Sequence, residues 1–423
     1  MSLFLLAGFF VFSFFGIPLA ISLGLSTALT FFIYNLPLAV IPRLMYTATN
    51  SFLLVAVPLF ILAGSVMEKG GVSDKIFDAA NSVVGRIKGG LGHVNIIASF
   101  IFGGISGSSV ADIGSLGPLE INAMTSQGFP KGYSASLTMV TSTLSSLVPP
   151  SILMIIAAVS GEVSVGSALA GGFAPAVTLV LSFMIYNYWV SSKYNYGKAT
   201  NMSFKKILKI NLEATPALLS PIIILTGMFS GIVTPTEAAA LSVIYTLFIS
   251  IFVYRKMSFK DFPKMIINAG RTAGTILLIV MTSSVATYVF VSDQLPEKIT
   301  NFLLGLSGNP QIILLLMAVI FIILGMFMDL TAAILLVTPI LMPTALKVGI
   351  NPIHFIVFEV YGLCIGLSTP PVGVCLFATS LVSGLKIEDI VKPSIPFYII
   401  MIVVLIIIAL IPDWTLLFVN LLT

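Results

Sequence analysis

Charge is what this chain has least of. Only 9% of its 423 residues are Asp, Glu, Lys or Arg, against 58% hydrophobic, and the mean hydropathy is +1.11. A soluble domain carries roughly 25% charged residues, so a water-facing surface around a buried core is excluded. Histidine is almost missing. Only His93 and His354 occur, neither has a metal-ligand partner at helical or loop spacing, and both read as interfacial. The two cysteines, Cys364 and Cys375, share an apolar segment without redox or metal spacing, which leaves them as small core residues. Enzyme signatures are also lacking: there is no H-E-x-x-H, G-x-S-x-G or Walker A sequence. Gly104-Ile105-Ser106-Gly107-Ser108 approaches a nucleophile elbow but has Ser108 where the last glycine belongs.

Long apolar runs are there instead. Stretches near the ~20 residues that cross a bilayer recur throughout, among them Phe52 to Val66, Ile276 to Val291, Ile312 to Phe327 and Ile395 to Ile411. About ten to twelve such segments are expected. The first, Leu3 to Ile33, is too long for a signal peptide and has no small-residue cleavage pattern, so it reads as a retained segment bent around Gly16-Ile17-Pro18. The net charge of +4 is less informative than its placement. Lys193, Lys198, Lys205, Lys206 and Lys209 form one basic stretch, and Arg255, Lys256, Lys260 and Lys264 another. Both are expected on the cytoplasmic side. As short juxtamembrane loops without interleaved aromatics, they give no nucleic-acid footprint.

Two motifs repeat. Gly103-Gly104-Ile105-Ser106-Gly107-Ser108-Ser109-Val110-Ala111-Asp112 is followed by Leu147-Val148-Pro149-Pro150-Ser151, and Gly325-Met326-Phe327-Met328-Asp329-Leu330-Thr331 by Gly366-Leu367-Ser368-Thr369-Pro370-Pro371. Residues 104 and 149, and residues 325 and 370, are 45 apart in each case. Amphipathic stretches, Val72 to Lys88 and Leu295 to Leu306, precede the two glycine motifs and read as interfacial helices. A short polar link and a closing apolar run follow each double proline. This divides the chain into a first repeat, 1–190, a linking polar stretch and connecting helix, 191–230, and a second repeat, 231–423. Re-entrant hairpins are expected at about 101–125 and 312–343, with unwound helices at about 146–151 and 366–373. The predicted fold is an all-α polytopic membrane protein. Paired Gly or Pro breaks in two halves are the pattern of secondary transporters, because a broken helix in lipid exposes backbone groups that need other partners.

The chemistry is expected at these breaks. Ser106, Ser108 and Ser109 bring hydroxyl oxygens to the first tip, and Val148-Pro149-Pro150-Ser151 would face it, with the carbonyls of Ser146 and Leu147 freed. Oxygen donors suit a hard cation. The second half repeats the arrangement with Gly325, Asp329 and Thr331 on the hairpin and Ser368, Thr369, Pro370 and Pro371 opposite. Asp329, in an apolar run, reads either as a ligand or as a cap on the following helix. Half-helix N-termini at both hairpins would suit an anionic substrate. Arg271 reads as an interface anchor, and Asp112, Glu120 and Glu237 as helix caps near membrane ends. Without an ATP site, the expected energy source is an ion gradient.

These elements, with Ser368-Thr369-Pro370-Pro371-Val372-Gly373 and Gly231-Ile232-Val233-Thr234-Pro235-Thr236-Glu237-Ala238-Ala239-Ala240, resemble the large membrane subunit of tripartite ATP-independent periplasmic (TRAP) transporters over essentially the whole chain. The resemblance implies inverted repeats and an elevator-type carrier with a scaffold and a transport domain. It implies sodium around Ser106, Ser109, Val148 and Pro150 in one half and around Gly325 and Thr369 in the other. Substrate would lie between the hairpin tips, with Ser108, Asp112, Asp329, Pro149, Pro370 and Ser368 as candidate contacts. The implied partners are a small four-helix membrane subunit and a periplasmic substrate-binding protein, neither within this chain, so an unfused large subunit of a bacterial inner membrane is expected. Sodium-coupled uptake of a small organic acid, such as sialic acid or a C4-dicarboxylate, is the leading expectation. The rivals are a single-component dicarboxylate or citrate symporter and an intramembrane enzyme using Asp112 and Asp329.

Overall fold

Breaks in hydropathy become breaks in helices. The computed structural model describes residues 1–197 and 202–422, which are helical with no strands; Lys198 of the first basic stretch lies outside the described residues. Among the described residues, eight helices are long and apolar enough to cross a membrane, and five shorter apolar helices of 10–17 residues accompany them. The difference from a count of ten to twelve spans lies in those short pieces. The opening run is one instance: Gly16 takes φ +80° and Pro18 cannot continue a helix, so Ser2–Phe14 and Leu19–Ile33 form two helices folded back on each other. Phe4 meets Tyr34 at 6.2 Å between ring centroids, which makes the pair antiparallel and corrects the single bent segment.

The two halves then run through the same order of elements. In the first, Ala56–Lys69 and Val72–Val84 lead to Gly90–Ser106, a hairpin return in two pieces (Ser109–Ser115, Gly117–Ser126), Lys131–Ser142, a break, Ile152–Ser160 and Val165–Tyr194. Phe262–Ser292 and Leu295–Leu306 open the second, followed by Pro310–Phe327, Leu330–Lys347, Pro352–Ser368, a break, Val374–Ser383 and Ile387–Leu410. Phe204–Phe229 and Pro235–Phe248 lie between them. The first hairpin begins at Gly90, earlier than the apolar run suggests, because His93, Asn95 and Ser99 dilute that run while being buried. Side-chain caps start many of these helices, as Asn351 does for Pro352–Ser368. Thr234 and Glu237 form a capping box, with Thr234 N–H on Glu237 Oε2 at 2.7 Å, in the role expected of Glu237.

The amphipathic stretches are packed arms more than free interfacial helices. Val72–Val84 buries Val72, Ile76, Phe77 and Ala80 and lies against Gly90–Ser106 and Phe204–Phe229. Leu295–Leu306 lies against Leu330–Lys347, where Thr300 and Thr344 share a 2.7 Å hydroxyl bond. Around Phe262–Ser292 are grouped Leu19–Ile33, Val40–Thr49 and Ala56–Lys69, which form one wall. The breaks and their hairpins form the other body, and there the halves exchange partners. Ile152–Ser160 packs on the second hairpin's return arm, and Val374–Ser383 packs on the first's. Ile387–Leu410 crosses to Lys131–Ser142, joined by the Ser136 and Ser394 hydroxyls. Exposed Phe14, Ile185 and Leu381 belong to an apolar outer surface that suits lipid. His93 and His354 are buried within the protein, not displayed at an interface; His354 Nδ1 lies 2.7 Å from Thr415 Oγ1. Both cysteines are buried and unpaired.

Candidate binding site at two broken helices

Gly107, at φ +59°, ends the first arm, and extended Ser108 restarts the chain by accepting Ala111 N–H at 3.4 Å. The glycines before it let the tip rest directly on the unwound chain opposite. A Cβ on Gly104 would stand 3.1 Å from the Pro149 carbonyl oxygen, and one on Gly107 2.9 Å from that of Pro150. Ser109 Oγ meets Ser146 Oγ at 2.8 Å across the same contact. Ser151 caps Ile152–Ser160 through Met154 N–H, and its hydroxyl donates to the Ser146 carbonyl at 2.6 Å. That carbonyl is therefore not free, contrary to the expectation drawn from the proline pair.

The second tip is built alike. Gly325 and Gly366 are in contact, so that a Cβ on either would press into backbone of the other's helix. Gly373 N–H donates to the Met326 carbonyl at 3.0 Å and ties residues 369–373 to the tip. Thr369 Oγ1 donates to the Ile365 carbonyl at 2.6 Å, and Tyr398 O–H to that of Ser368 at 2.6 Å. Both proline pairs, Pro149–Pro150 and Pro370–Pro371, are joined by cis bonds. Asp329 accepts Thr331 N–H at 2.9 Å and caps Leu330–Lys347, with its carboxylate still exposed to the cavity. Of its two expected roles the cap is formed.

A cavity of about 690 Å³ separates the tips from the wall of Leu19–Ile33, Ala56–Lys69 and Phe262–Ser292. Such a volume suits a small-molecule ligand. Ser106, Ser108, Ser109 and Asp329 line it, whereas Val148, Pro149, Pro150, Gly325, Ser368, Thr369 and Pro370 are not among its lining residues. First-turn residues of four helices open on it: Ser109 to Ala111, Ile152 and Leu153, Leu330 and Thr331, and Val374. Ser108 and Asp329 take the Ala111 and Thr331 N–H groups, and the remaining first-turn N–H groups and the helix dipoles at this end set a favourable field for negative charge against the Asp329 carboxylate. Glu68 and Asp329 are the charged lining residues, and Arg271 is not among them. Glu68, Ser65, Thr272 and Thr275 escaped the sequence reading. Thr272, Thr275, Ile276 and Ile279 follow helical spacing, a signal that could have found that face.

Asp112 is corrected. It neither caps a helix nor reaches the cavity: its side chain turns inward, Oδ2 accepts Ser145 Oγ–H at 3.1 Å, and Oδ1 has no partner. Glu120 is likewise buried and is no cap. Both lie on the return arm of the hairpin, whose inner face is sealed by Gly90–Ser106 and Lys131–Ser142.

Two helices interrupted at matching positions of two halves, around one midchain cavity, define the class of broken-helix secondary carriers. Residues 6–414 match the tripartite ATP-independent periplasmic transporter family, DctM component, and the chain belongs to this family. It is 36% identical over 368 residues to the sialic acid TRAP transporter large permease protein SiaM of Vibrio cholerae, covering 87% of this chain and 86% of that one. It is also 36% identical to the isethionate TRAP transporter permease protein DctMQ of Oleidesulfovibrio alaskensis, over 94% of this chain but only 63% of that longer protein. The fold is similar to that of the Alcanivorax borkumensis YdaH transporter, with TM-score 0.62 at 14% identity over 88% of this chain and 87% of the other.

Proposed function

We propose that this multi-pass permease carries a small organic acid into the cell, driven by sodium, across a bacterial inner membrane. The observation that carries this reading is that both hairpin tips and four helix N-termini open on one shared cavity. An organic anion would be held there by N–H groups and by the Ser106, Ser108 and Ser109 hydroxyls, since the described lining offers no cationic side chain. Substrate class and partners are carried over from relatives named for sialic acid and isethionate. A small membrane subunit would complete the scaffold, and a periplasmic binding protein would deliver the substrate.

For the coupling ion, the donor set is oxygen throughout, as a hard cation needs. Ser106, Ser109, Val148 and Pro150 would hold one sodium, and Gly325 and Thr369 would take part in holding a second. The close rest of the Gly104 and Gly107 backbone on the Pro149 and Pro150 carbonyls supports the first. Sodium would fasten each tip to its unwound partner, and the body of hairpins and breaks would slide along the wall as an elevator, its halves related as inverted repeats. The reading is tested in proteoliposomes holding this chain and its small subunit, with binding protein and labelled organic acids added outside. Uptake is expected only with inward sodium and binding protein together. Uptake that ignores sodium overturns the coupling, and uptake unchanged without binding protein makes the chain a single-component symporter.

A further inference from the structure

Two carboxyls that no transport role has claimed stand one at each of the corresponding hairpin seams of the two halves. Residues 104 and 325, and 149 and 370, differ by 221, and the same interval relates Thr138 to Glu359. Thr138 sits on Lys131–Ser142 and faces Glu120 on the first hairpin's return arm. Glu359 sits on Pro352–Ser368 and faces Thr338 on the second hairpin's return arm. Each seam between hairpin and facing helix thus holds one glutamate and one threonine, with the two residue types exchanged between sides. Both glutamates are 0% exposed.

Hydrogen-bond accounting favours a neutral Glu359. Thr338 Oγ1 lies 2.7 Å from the Ile334 carbonyl oxygen and 2.9 and 3.0 Å from the two carboxyl oxygens. A hydroxyl has one proton, and the carbonyl is its nearest acceptor. The Thr338 oxygen then presents lone pairs to the carboxyl, which bonds only if the carboxyl brings a proton of its own. Among the described residues no ion pair reaches Glu359, and His354, the base on its own helix, is bonded to Thr415. Pro310–Phe327, Ile152–Ser160 and Val374–Ser383 carry no ionised residue, and Leu330–Lys347 only its last, Lys347. Lys193 on Val165–Tyr194, Glu388, Asp389 and Lys392 on Ile387–Leu410, and Asp413 on Pro412–Leu422 stand near helix ends, and none forms an ion pair with Glu359.

Glu120 is also buried without a counter-ion, though the hydroxyl facing it is engaged differently. Neither of its oxygens has a hydrogen-bond partner of good geometry, and the group that acts on it is another buried carboxyl, Asp112. His93, Lys131, Tyr133 and Cys375 sit on the elements packed around its helix without pairing with it. Asn95 Nδ2 donates to Thr138 Oγ1 at 2.6 Å, so the one hydroxyl facing Glu120 is held by a neutral amide and brings no counter-charge. A buried ion without a partner costs several kcal/mol, far more than one hydroxyl contact returns.

We propose that Glu120 and Glu359 are two proton-binding sites, one at each hairpin seam, occupied at neutral pH. The proton is the ligand that lets each hairpin arm close on its facing helix, and its loss puts a lone charge into the seam. The test needs only the purified full chain in lipid nanodiscs and no transported solute, so its outcome is independent of the proposed function. Infrared difference spectra at pH 7 are expected to show protonated-carboxyl carbonyl bands, of which Glu120→Gln and Glu359→Gln each remove one. Glutamine copies the shape of the neutral acid, so both variants should keep the wild-type melting midpoint. Thr338→Val removes the acceptor and should shift the Glu359 band without deleting it, which keeps the test open if a glutamine variant fails to fold. Ionised carboxylate bands in place of protonated ones overturn the proposal. So does a Glu120 band that disappears when sodium is raised at constant pH, which would make that seam a metal site.

Discussion

Asp329 sits at the lip of the cavity and does two things at once: it caps Leu330–Lys347 and presents a carboxylate to the cavity. Asparagine caps a helix about as well as aspartate. Asp329→Asn is therefore expected to leave the melting midpoint in place while lowering uptake, and normal uptake would reduce the residue to its cap. Thr369→Val and Ser106→Ala are expected to raise, severalfold, the sodium concentration that half-saturates uptake, with expression unchanged; identical sodium curves would remove both from the ion sites. The sequence pointed to Asp329 because a lone acid in an apolar run is conspicuous. It could not tell Asp112 from it, because the turn that sends Asp112 inward to Ser145 depends on where residues 143–146 lie, a relation no local pattern carries.

At the scale of elements, the glycines decide how closely a hairpin can lie on its break. Gly325→Ala would press a methyl into the Leu363 carbonyl. Helix propensity returns about 0.5–1 kcal/mol for such a change, and overpacking costs typically 1–3 kcal/mol. The melting midpoint of Gly325→Ala is expected to fall. Gly274→Ala, where nothing beyond the local helix backbone lies within 4 Å of the new carbon, should hold or raise it. Equal midpoints for the two would mean that the hairpin seat is loose. The equal spacing of the breaks was legible because glycine and proline punctuate a chain whatever surrounds them. The arms were less so: buried polar residues such as Asn95 and Ser99, bonded to Thr141, look like loop residues until the helix that satisfies them is in place.

For the molecule as a whole, the relation between wall and hairpin body is what a moving carrier must change. A Cβ on Gly64 would lie 3.7 Å from Ser106 Cβ, within the roughly 3.5–4.5 Å that a disulfide requires. Oxidised Gly64→Cys, Ser106→Cys protein is expected to stop transporting and to regain, on reduction, the rate of Ser106→Cys alone. Uptake that persists through the cross-link would show that the two bodies do not slide past each other there. This wall was the least legible part, since Glu68 and Thr272 join one cavity only through packing. The exchange of partners between halves also bears on how the protein is made. Ile152–Ser160 precedes Leu330–Lys347, against which it packs, by well over a hundred residues, so a first half inserted during synthesis would hold an unmatched short helix. A fragment ending near residue 197 should be degraded on its own and rescued by co-expression of the remainder, and the waiting segment is a natural client for insertion chaperones.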